Sequence, residues 1–492
     1  MSGAQEQIKI HDKYQFEMKF TYPIDLNDKR ISYQVETYMF MPNNLGVTPK
    51  TYGKEDFYGD AQTYIRFKTP DMPLKSIVKG DKSPLKALEK ALKDIAVAPA
   101  DPERENNYKQ SLKMFCSVLK SSLRDEEAFI ERLGDNDKVE DFVKDYNETA
   151  SSIVKEFRAL RKLAHVPLLQ GRPYALYLLA DEHISLTVDK YRYRLLLALN
   201  RLPLPDPKKP RAALLEAINA ETLYRDANKY PSVPRPGSDN EVMLYRMSAL
   251  KKIMSSILFL KTQTRREGVY LEQLSMGLAA GIAMAFATAV AFIGQDRLGN
   301  LSLTFFVTLV VAYIFKDRMK ELTRIFIYRK LQKRLYDQKT VIRNGIGNTM
   351  GVHRQSFQFM DEAGLPPELV KIRNKDYITE LDNGYLGEQI LYEKKQVTLF
   401  GGVESAPGLE GRFAGINEIT RHNISKFLSK MDNARKLLYI ADKNGTRETK
   451  ASRVYHVHLV TKFGQQGKPP AFHHFRLILS QNGIKRIEAV PV

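Results

Sequence analysis

The sequence predicts a membrane-anchored α+β protein, and three observations lead to this prediction. Two long uncharged runs lie close together in the middle of a 492-residue chain of which 27% is charged. Apolar and polar residues alternate near the N-terminus, as in β-strands, whereas after residue 84 apolar residues recur every three or four positions, as in helices. We therefore predict five regions: a β-rich N-terminal region (1–80), a cytoplasmic helical bundle (81–269), a two-helix transmembrane hairpin (270–315), a basic juxtamembrane helix (316–349) and a C-terminal α+β domain (350–492).

The two uncharged runs are the basis for the predicted hairpin. They comprise twenty residues (274–293) and eighteen residues (298–315), separated only by Gly294-Gln295-Asp296-Arg297. Each run approaches the roughly 20 residues that a helix needs to cross a hydrocarbon core about 30 Å thick. We interpret the four residues between them as a tight turn, which makes the helices antiparallel with their backbone hydrogen bonds satisfied internally. A buried hairpin of a soluble domain is the alternative, but asymmetric basic flanks favour a membrane.

The basic flanks predict the orientation of this hairpin. Lys261, Arg265 and Arg266 precede the first run and eight basic residues follow the second, whereas the turn contains only Arg297. By the positive-inside rule both flanks, and with them both termini, are cytoplasmic. The eight residues are Lys316, Arg318, Lys320, Arg324, Arg329, Lys330, Lys333 and Arg334. We therefore expect a multi-pass protein of the inner membrane with two spans.

The excess positive charge is concentrated beside the predicted membrane segment. The chain carries a net charge of +19, and residues 316–343 contain ten basic and three acidic residues, a net +7. Near a bilayer such residues attract anionic headgroups by about 1 kcal/mol each. The expected contacts with anionic lipid are Lys316, Arg318, Lys320, Arg324, Arg329 and Lys330. No separate basic face stands out, so nucleic acid is not an expected partner.

Small residues form a row along the first membrane helix. Gly277 and Gly281 have the G-x-x-x-G spacing, Ala285 and Ala289 extend it, and a second row of alanines runs beside it. Such rows let two helix backbones approach closely in lipid. We favour packing of the glycine row against the second helix of the same hairpin. A contact between protomers, and hence a homo-oligomer, is the alternative.

The remaining regions show ordinary strand and helix signals. Runs 14–22 and 31–41 alternate and are predicted to pair as an antiparallel hairpin, with 63–68 as a third strand. Ser83 before Pro84 marks a helix start, and two long amphipathic helices are expected between residues 102 and 163. Proline-rich segments 202–210 and 230–238 flank a short helix at 211–228. A further helix from Glu241 is expected to lead to the membrane, and the chain should stay helical from 316 to about 343.

The C-terminal domain contains two hairpin signals and four histidines. Asn444-Gly445 and Asn482-Gly483 each separate two strand-like runs, which is a strong signal for a β-hairpin. His456 and His458 share one strand face, and His473 and His474 begin the next run, an arrangement that could hold a metal. No cysteine lies near them, and we expect ordinary strand histidines, with no metal and no cofactor.

The sequence contains no motif that names a reaction. It has no phosphate-binding loop, no dinucleotide fingerprint and no nucleophile elbow. Cys116 is the single cysteine and fits a reducing compartment. We expect an interaction, scaffold or sensor-effector module that binds an unidentified protein partner at the cytoplasmic face. The alternatives are a membrane-tethered enzyme with an unrecognised site in the C-terminal domain, and a subunit of a homo-oligomeric pore.

Overall fold

The protein has a mixed α+β fold. The computed structural model describes residues 6–24, 28–80, 83–134, 138–165, 171–201, 208–298, 302–332, 335–345, 347–374, 387–401, 415–442 and 445–492. About 51% of the chain is helix and 29% is strand, and the N-terminus is rich in strand. The coarse α+β class predicted from the sequence is therefore confirmed.

The described residues form fourteen strands. They are β1 (Glu6–Ile10), β2 (Gln15–Pro23), β3 (Arg30–Pro42), β4 (Ala61–Phe67), β5 (Lys261–Arg266), β6 (Gln338–Arg343), β7 (Thr349–Met360), β8 (Glu388–Phe400), β9 (Gly415–Asn423), β10 (Arg435–Asp442), β11 (Gly445–Ser452), β12 (Tyr455–Gln465), β13 (Ala471–Ser480) and β14 (Gly483–Val490). An eight-stranded sheet has the order β14-β13-β12-β3-β8-β7-β6-β5, and a four-stranded sheet has the order β1-β2-β9-β4. We call these two sheets the β body; β10 and β11 pair only with each other.

Strands from both ends of the chain share both sheets. β3 lies between β12 and β8, with Val35 opposite both Phe463 and Lys395. β2 pairs with β9, with Phe20 opposite Glu418. The strands before residue 68 and those after residue 337 therefore fold together.

The predicted pairing of the first two long strands is wrong. β2 and β3 belong to different sheets. Each has one apolar face, and these faces pack against each other between the sheets: the ring centroids of Tyr22 and Tyr33 are 5.3 Å apart. Burial of both faces satisfies the alternating pattern without edge-to-edge pairing. The third predicted strand is confirmed as β4, and both Asn-Gly hairpins are confirmed as β10–β11 and β13–β14, although Asn444 lies outside the described residues.

Helices form a second layer and several short connections. They are α1 (Lys54–Asp60), α2 (Pro84–Val97), α3 (Pro102–Leu133), α4 (Val139–Ala159), α5 (Arg161–Ala164), α6 (Arg172–Leu199), α7 (Lys208–Ala227), α8 (Glu241–Ser255), α9 (Val269–Leu298), α10 (Leu303–Gln332), α11 (Pro367–Arg373) and α12 (Ser425–Leu428). The predicted cap is confirmed, since the Lys86 amide donates to Ser83 Oγ at 3.2 Å. The helices expected between residues 102 and 163 and at 211–228 correspond to α3, α4 and α7; of the first proline-rich segment, 202–207 lie outside the described residues.

Two strands replace helix at the base of the hairpin. α8 does not lead directly to α9, because β5 intervenes, and the helix predicted from 316 to about 343 ends at Gln332. Residues 338–343 instead form β6, which pairs with β5 so that Gln338 lies opposite Arg266. The β-branched residues Val341 and Ile342 favour a strand there, and the pairing completes the edge of the larger sheet.

α9 and α10 form one helical hairpin that continues from these two strands. Each helix has 30 residues. A Cβ placed on Gly294 would lie 3.3 Å from the Phe305 ring, and one on Gly268 would lie 2.8 Å from Leu335, so the helices run antiparallel. The order β5-α9-α10-β6 makes the hairpin an extension of the sheet edge.

Candidate functional site: an exposed apolar hairpin and its base

α9 contains the segment best suited to a bilayer. Among the described residues, one helix is long and apolar enough to cross a membrane, Glu272–Arg297, with a mean hydropathy of 2.1. Only 11% of its apolar stretch is buried. A core helix of a soluble domain has the same composition but is mostly buried. The exposure of α9 therefore separates it from that class.

α10 offers a shorter apolar stretch than the sequence prediction assumed. Its uncharged part comprises the thirteen residues 303–315, which span about 20 Å in a helix. Gln295, Asp296 and Arg297, which were predicted to form the turn, lie inside α9. α9 thus extends to Leu298 and α10 begins at Leu303, so part of the run predicted as the second span does not belong to α10. Two full spans are not shown.

Many large apolar side chains of the hairpin are exposed in the part of the chain that the structure describes. They are exposed on both helices: Leu274, Leu278, Ile282, Met284, Phe292 and Ile293 on α9, and Leu303, Phe306, Val307, Val310, Val311, Ile314 and Phe315 on α10. Soluble monomers rarely expose apolar patches larger than a few hundred Å². A surface of this kind requires an apolar partner or an apolar medium.

The glycine row does not face α10. Gly277, Gly281, Ala285 and Ala289 are all exposed, and nothing lies within 4 Å of a Cβ placed on either glycine. In the parallel row Ala279 and Ala283 are buried, as is Ala312 of α10, which indicates that this side of α9 faces α10. Both rows are small enough for close packing, so residue size alone does not decide which row is used. The favoured packing within the hairpin is wrong for the glycine row, and a contact between chains stays a prediction.

The basic residues of α10 lie beside the apolar part of α9. Because Phe305 is level with Gly294, Lys316 is level with about residue 283 of α9. Lys316 Nζ lies 4.0 Å from the centroid of the Tyr313 ring, and Arg324 pairs with Glu321 at 2.6 Å. Arg318 and Lys320 are exposed. Arg329 and Lys330 belong to α10, and their side chains lie outside the described residues.

The base of the hairpin is tied to the β body at Asp337. Its carboxylate accepts from the Tyr58 hydroxyl at 3.0 Å and from the Phe357 amide at 2.8 Å, and it pairs with Lys54 at 2.5 Å. The Glu267 amide donates to the Asp337 carbonyl at 3.2 Å. Burial and the Asp337 carboxylate raise the pKa of Tyr58, which stays a hydrogen-bond donor. Both ends of the hairpin are thus fixed to the same point.

A cavity of about 490 Å³ opens at this base. It is lined by Lys54, Glu55, Tyr58, Arg266, Glu267, Gly268, Glu272, Leu335, Tyr336, Asp337 and Gln338. Gly268 has φ +89°, and a Cβ there would lie 2.8 Å from Leu335, so the chain needs glycine where β5 turns into α9.

A buried ion cluster lies between the two sheets of the β body. Lys395 Nζ bonds Glu418 Oε1 at 2.7 Å, and the Tyr22 hydroxyl donates to Glu418 Oε2 at 2.7 Å. Burial opposes ionisation of Glu418, but Lys395 and His353 outweigh it and lower its pKa to about 2. Gln355 donates to Glu393 beside them. Because Lys395 belongs to β8 and Glu418 to β9, this cluster joins the two sheets.

A second buried network joins three helices. Arg158 binds Glu221 with two bonds of 2.9 and 2.8 Å, and Arg225 binds Asp189 at 2.7 Å. Asp181 pairs with Arg158 at 3.2 Å. Sequence reasoning missed both networks, although charged residues at core-facing positions of β8, β9 and α6 were a signal for them. Paired buried charges specify packing and do not by themselves form a reaction site.

The four C-terminal histidines do lie on paired strands. His456 and His458 are on β12, His473 and His474 are on β13, and His458 Nδ1 is 3.0 Å from His474 Nε2. Burial lowers the pKa of His458 to about 2, so it is neutral. Over the part of the chain that the structure describes, no group of three or more His, Cys, Asp or Glu residues could hold a metal ion. Burial also raises the pKa of the Cys116 thiol.

Comparison with known proteins finds no matching family model, no matching curated protein and no matching solved structure.

Proposed function

We propose that this protein is a membrane-anchored interaction module, in which α9 and α10 insert into the inner membrane and hold the β body and the helical region at its cytoplasmic face. One observation carries the proposal: α9 is free of charge from residue 274 to 293 and is exposed along most of that length. Removal of this surface from water stabilises an inserted state by about 25 cal/mol per Å² of apolar area.

The hairpin crosses the bilayer in two spans of unequal apolar length. α9 supplies about 30 Å, whereas the uncharged part of α10 supplies about 20 Å. Lys316, Arg318 and Lys320 extend their heads toward the cytoplasmic surface, and local thinning of the bilayer covers the remaining mismatch. Asp296 and Arg297 then emerge on the outer side.

The rigid base of the hairpin supports a scaffold or sensor-effector role. Because Asp337 ties α1, β7 and both hairpin connections together, a change in one of these elements is transmitted to the others. The outer face of the eight-stranded sheet also presents an open polar groove of about 760 Å³, which suits a polar segment of a protein partner. Its lining includes Ser32, Gln34, Glu36, Gln396 and Lys462.

Deletion of residues 274–315 tests the anchor. We expect the deleted protein to move from the membrane fraction to the soluble fraction, since among the described residues α9 is the one helix long and apolar enough to cross a bilayer. Circular dichroism of the soluble product checks that the β body has folded. A folded deletion variant that stays with the membrane contradicts the proposal.

A cysteine at the hairpin tip tests the two spans. In a Cys116→Ser background, Asp296→Cys should react with a membrane-impermeant maleimide added from the outer side of intact cells. Asp317→Cys on α10 is the matched control and should react only after the membrane is opened. Labelling of both sites in intact cells contradicts the second span, because Asp317 then lies on the outer side. Labelling of both sites only after opening contradicts both crossings, because Asp296 then lies on the cytoplasmic side.

A further inference from the structure

The β10–β11 hairpin, which we call the arm, is exposed on both faces. Its strands pair only with each other, from Arg435 opposite Ser452 to Asp442 opposite Gly445. Four consecutive apolar residues of β10 are exposed by 46%, 45%, 70% and 52% of their surface. They are Leu437, Leu438, Tyr439 and Ile440.

An arm of this composition is not stable in water unless an apolar group or medium contacts its exposed side chains. Consecutive strand residues point to opposite faces, so Leu437 and Tyr439 lie on one face and Leu438 and Ile440 on the other. An isolated two-stranded hairpin is marginally stable at best, and open strand edges with apolar side chains invite association. The arm therefore needs an apolar environment that reaches both of its faces.

The register of the eight-stranded sheet places the arm and the membrane hairpin at the same end of that sheet. One row of paired residues crosses the sheet through Arg266, Gln338, Gln355, Lys395, Val35 and Phe463. At this row β5 ends and the chain continues into α9. The part of β12 between the row and its first residue, Tyr455, extends from the row in the same direction as α9. The arm ends at Ser452, directly before β12.

The arm is fixed to this end of the sheet at its base. The Arg453 amide donates to the Ala434 carbonyl at 2.9 Å, and the Asp432 amide donates to the Tyr455 hydroxyl at 3.1 Å. Arg453 also pairs with Asp432 at 2.5 Å. These bonds hold the two ends of the arm together beside Tyr455, the first residue of β12.

The charge of the arm favours an anionic lipid surface over a second copy of the chain. Residues 435–452 contain five basic and two acidic residues. Arg447 lies opposite Ile440 and Lys450 lies opposite Leu437, so cations flank the apolar residues. This arrangement is typical of elements that lie at the boundary of headgroups and acyl chains. Two such arms repel each other, whereas an anionic leaflet attracts both the arm and the basic part of α10.

We propose that the arm is a second membrane contact, which inserts the side chains of residues 437–440 at the acyl-headgroup boundary of an anionic leaflet. The proposal rests on the anchoring of α9 and α10 in the same bilayer. The anchor and the arm then hold the β body at two points. This fixes the orientation of the β body relative to the cytoplasmic face of the membrane.

Single tryptophans test the arm separately from the anchor. The chain contains no tryptophan, so Tyr439→Trp reports the arm and Phe286→Trp reports the middle of α9. Tyr245→Trp is the control: it is exposed on α8, which precedes the start of β5 at the opposite end of the sheet. Each full-length variant is reconstituted into phosphatidylcholine vesicles containing phosphatidylglycerol, with or without brominated acyl chains.

We expect brominated lipid to reduce the emission of Tyr439→Trp and Phe286→Trp to about half or less, and to leave Tyr245→Trp unchanged, because bromine quenches only groups within the bilayer. Quenching of Tyr439→Trp should weaken when phosphatidylglycerol is omitted. Quenching of Phe286→Trp without quenching of Tyr439→Trp overturns the arm proposal alone. Absence of quenching in both overturns the anchor as well.

A second copy of the chain is the competing cover for the arm, and it gives a different signal. If arms associate with each other, the emission of Tyr439→Trp in detergent shifts to the blue with rising protein concentration, and Leu438→Ser with Ile440→Ser abolishes the shift. That result overturns the lipid proposal. Emission that depends on anionic lipid and not on protein concentration supports it.

Discussion

Helices α6 and α9 have opposite relations between charge and exposure. α6 is largely buried yet carries Asp181, Glu182, Asp189 and Arg192 among its buried residues. α9 is largely exposed yet has no charge between residues 274 and 293. The usual pattern in water, in which apolar residues are buried and charged residues are exposed, describes neither helix. The difference teaches that each helix is matched to its surroundings: ionic partners around α6, and lipid around α9 under the proposed function.

The charges on α6 are tolerated because their partners arrive from other helices. Arg225 of α7 reaches Asp189, and Arg158 of α4 reaches Asp181. Glu182 is met by Arg246 of α8 at 2.8 Å. Each pair balances the cost of removing two charges from water only while both members are present. The variants that follow change one side of this comparison at a time.

Loss of a buried cation should have the largest effect on stability. Arg225→Met leaves Asp189 buried without its partner, and we expect a loss of about 3–5 kcal/mol in the free energy of unfolding. Thermal unfolding of the detergent-solubilised protein, followed by circular dichroism, measures it. Arg324→Met removes an exposed ion pair of α10 and should cost less than about 1 kcal/mol.

A double variant checks the cause of that loss. Arg225→Met combined with Asp189→Leu removes both charges and should recover most of the stability, since no unpaired charge is left. If the double variant is as unstable as Arg225→Met alone, lost packing rather than an unpaired charge explains the effect.

A lysine on the exposed face of α9 tests the other side of the comparison. Met284→Lys should disfavour insertion by about 2.5–3.5 kcal/mol, because it places a charge near the middle of the span. The measurement is the fraction of protein in the membrane after alkaline extraction. Leu322→Lys, in the basic part of α10, is the control and should leave this fraction unchanged. Equal fractions for both variants would show that α9 is surrounded by water.

Buried histidine should make the β body sensitive to acid. Burial and the nearby Lys395 lower the pKa of His422 to about 3, against an opposing effect of Glu418, whereas an unfolded histidine titrates near 6.5. Below pH 6.5 the unfolded chain therefore binds a proton that the folded chain excludes, so this contribution to stability is present above pH 6.5 and is lost progressively as the pH falls.

The matched variant for this pH dependence is His422→Phe, which keeps a ring against Phe16, whose centroid lies 5.1 Å away. Between pH 6.5 and 5 the native protein should lose about 2 kcal/mol more than His422→Phe in the free energy of unfolding. Denaturant unfolding at both pH values measures the difference. Parallel pH profiles would mean that His422 is accessible to protons in the folded state.

Changes in the glycine row should have the smallest effect on the fold. A Cβ on Gly277 or Gly281 meets no described atom within 4 Å, so we expect Gly277→Leu with Gly281→Leu to change stability by less than about 1 kcal/mol. If this row joins protomers, the same variant abolishes oligomers in detergent, which light scattering detects. Ala279→Leu with Ala283→Leu, in the buried row, should instead destabilise the hairpin by about 1–3 kcal/mol per site.

Local signals made the elements predictable, whereas long-range contacts did not follow from them. The cap at Ser83 and the Asn-Gly turns depend on residues within a few positions of each other, and the structure confirms them. The pairing of β2 with β9 joins Tyr22 to Glu418, which are 396 positions apart. A period of two predicts that a strand has an apolar face, but it does not specify which strand lies beside it.

The base of the hairpin was mispredicted for a related reason. Residues 316–343 have an amphipathic, basic composition that suits a helix, and α10 does continue to Gln332. The last six residues become β6 only because β5 lies beside them and supplies the hydrogen bonds. Where the local preference for helix or strand is weak, the neighbouring strand in the tertiary structure decides between them.

The sequence by itself determined the composition of α9, because the free energy of moving a helix from water to lipid depends on its own side chains and on little else. It also determined the excess of positive charge in α10 and in the arm. Only the tertiary structure decided which small-residue row faces α10, which strands carry the hairpin, and how the charges of α6 are paired. Each of these depends on the direction in which a distant element approaches, and that direction is fixed by packing of the whole chain.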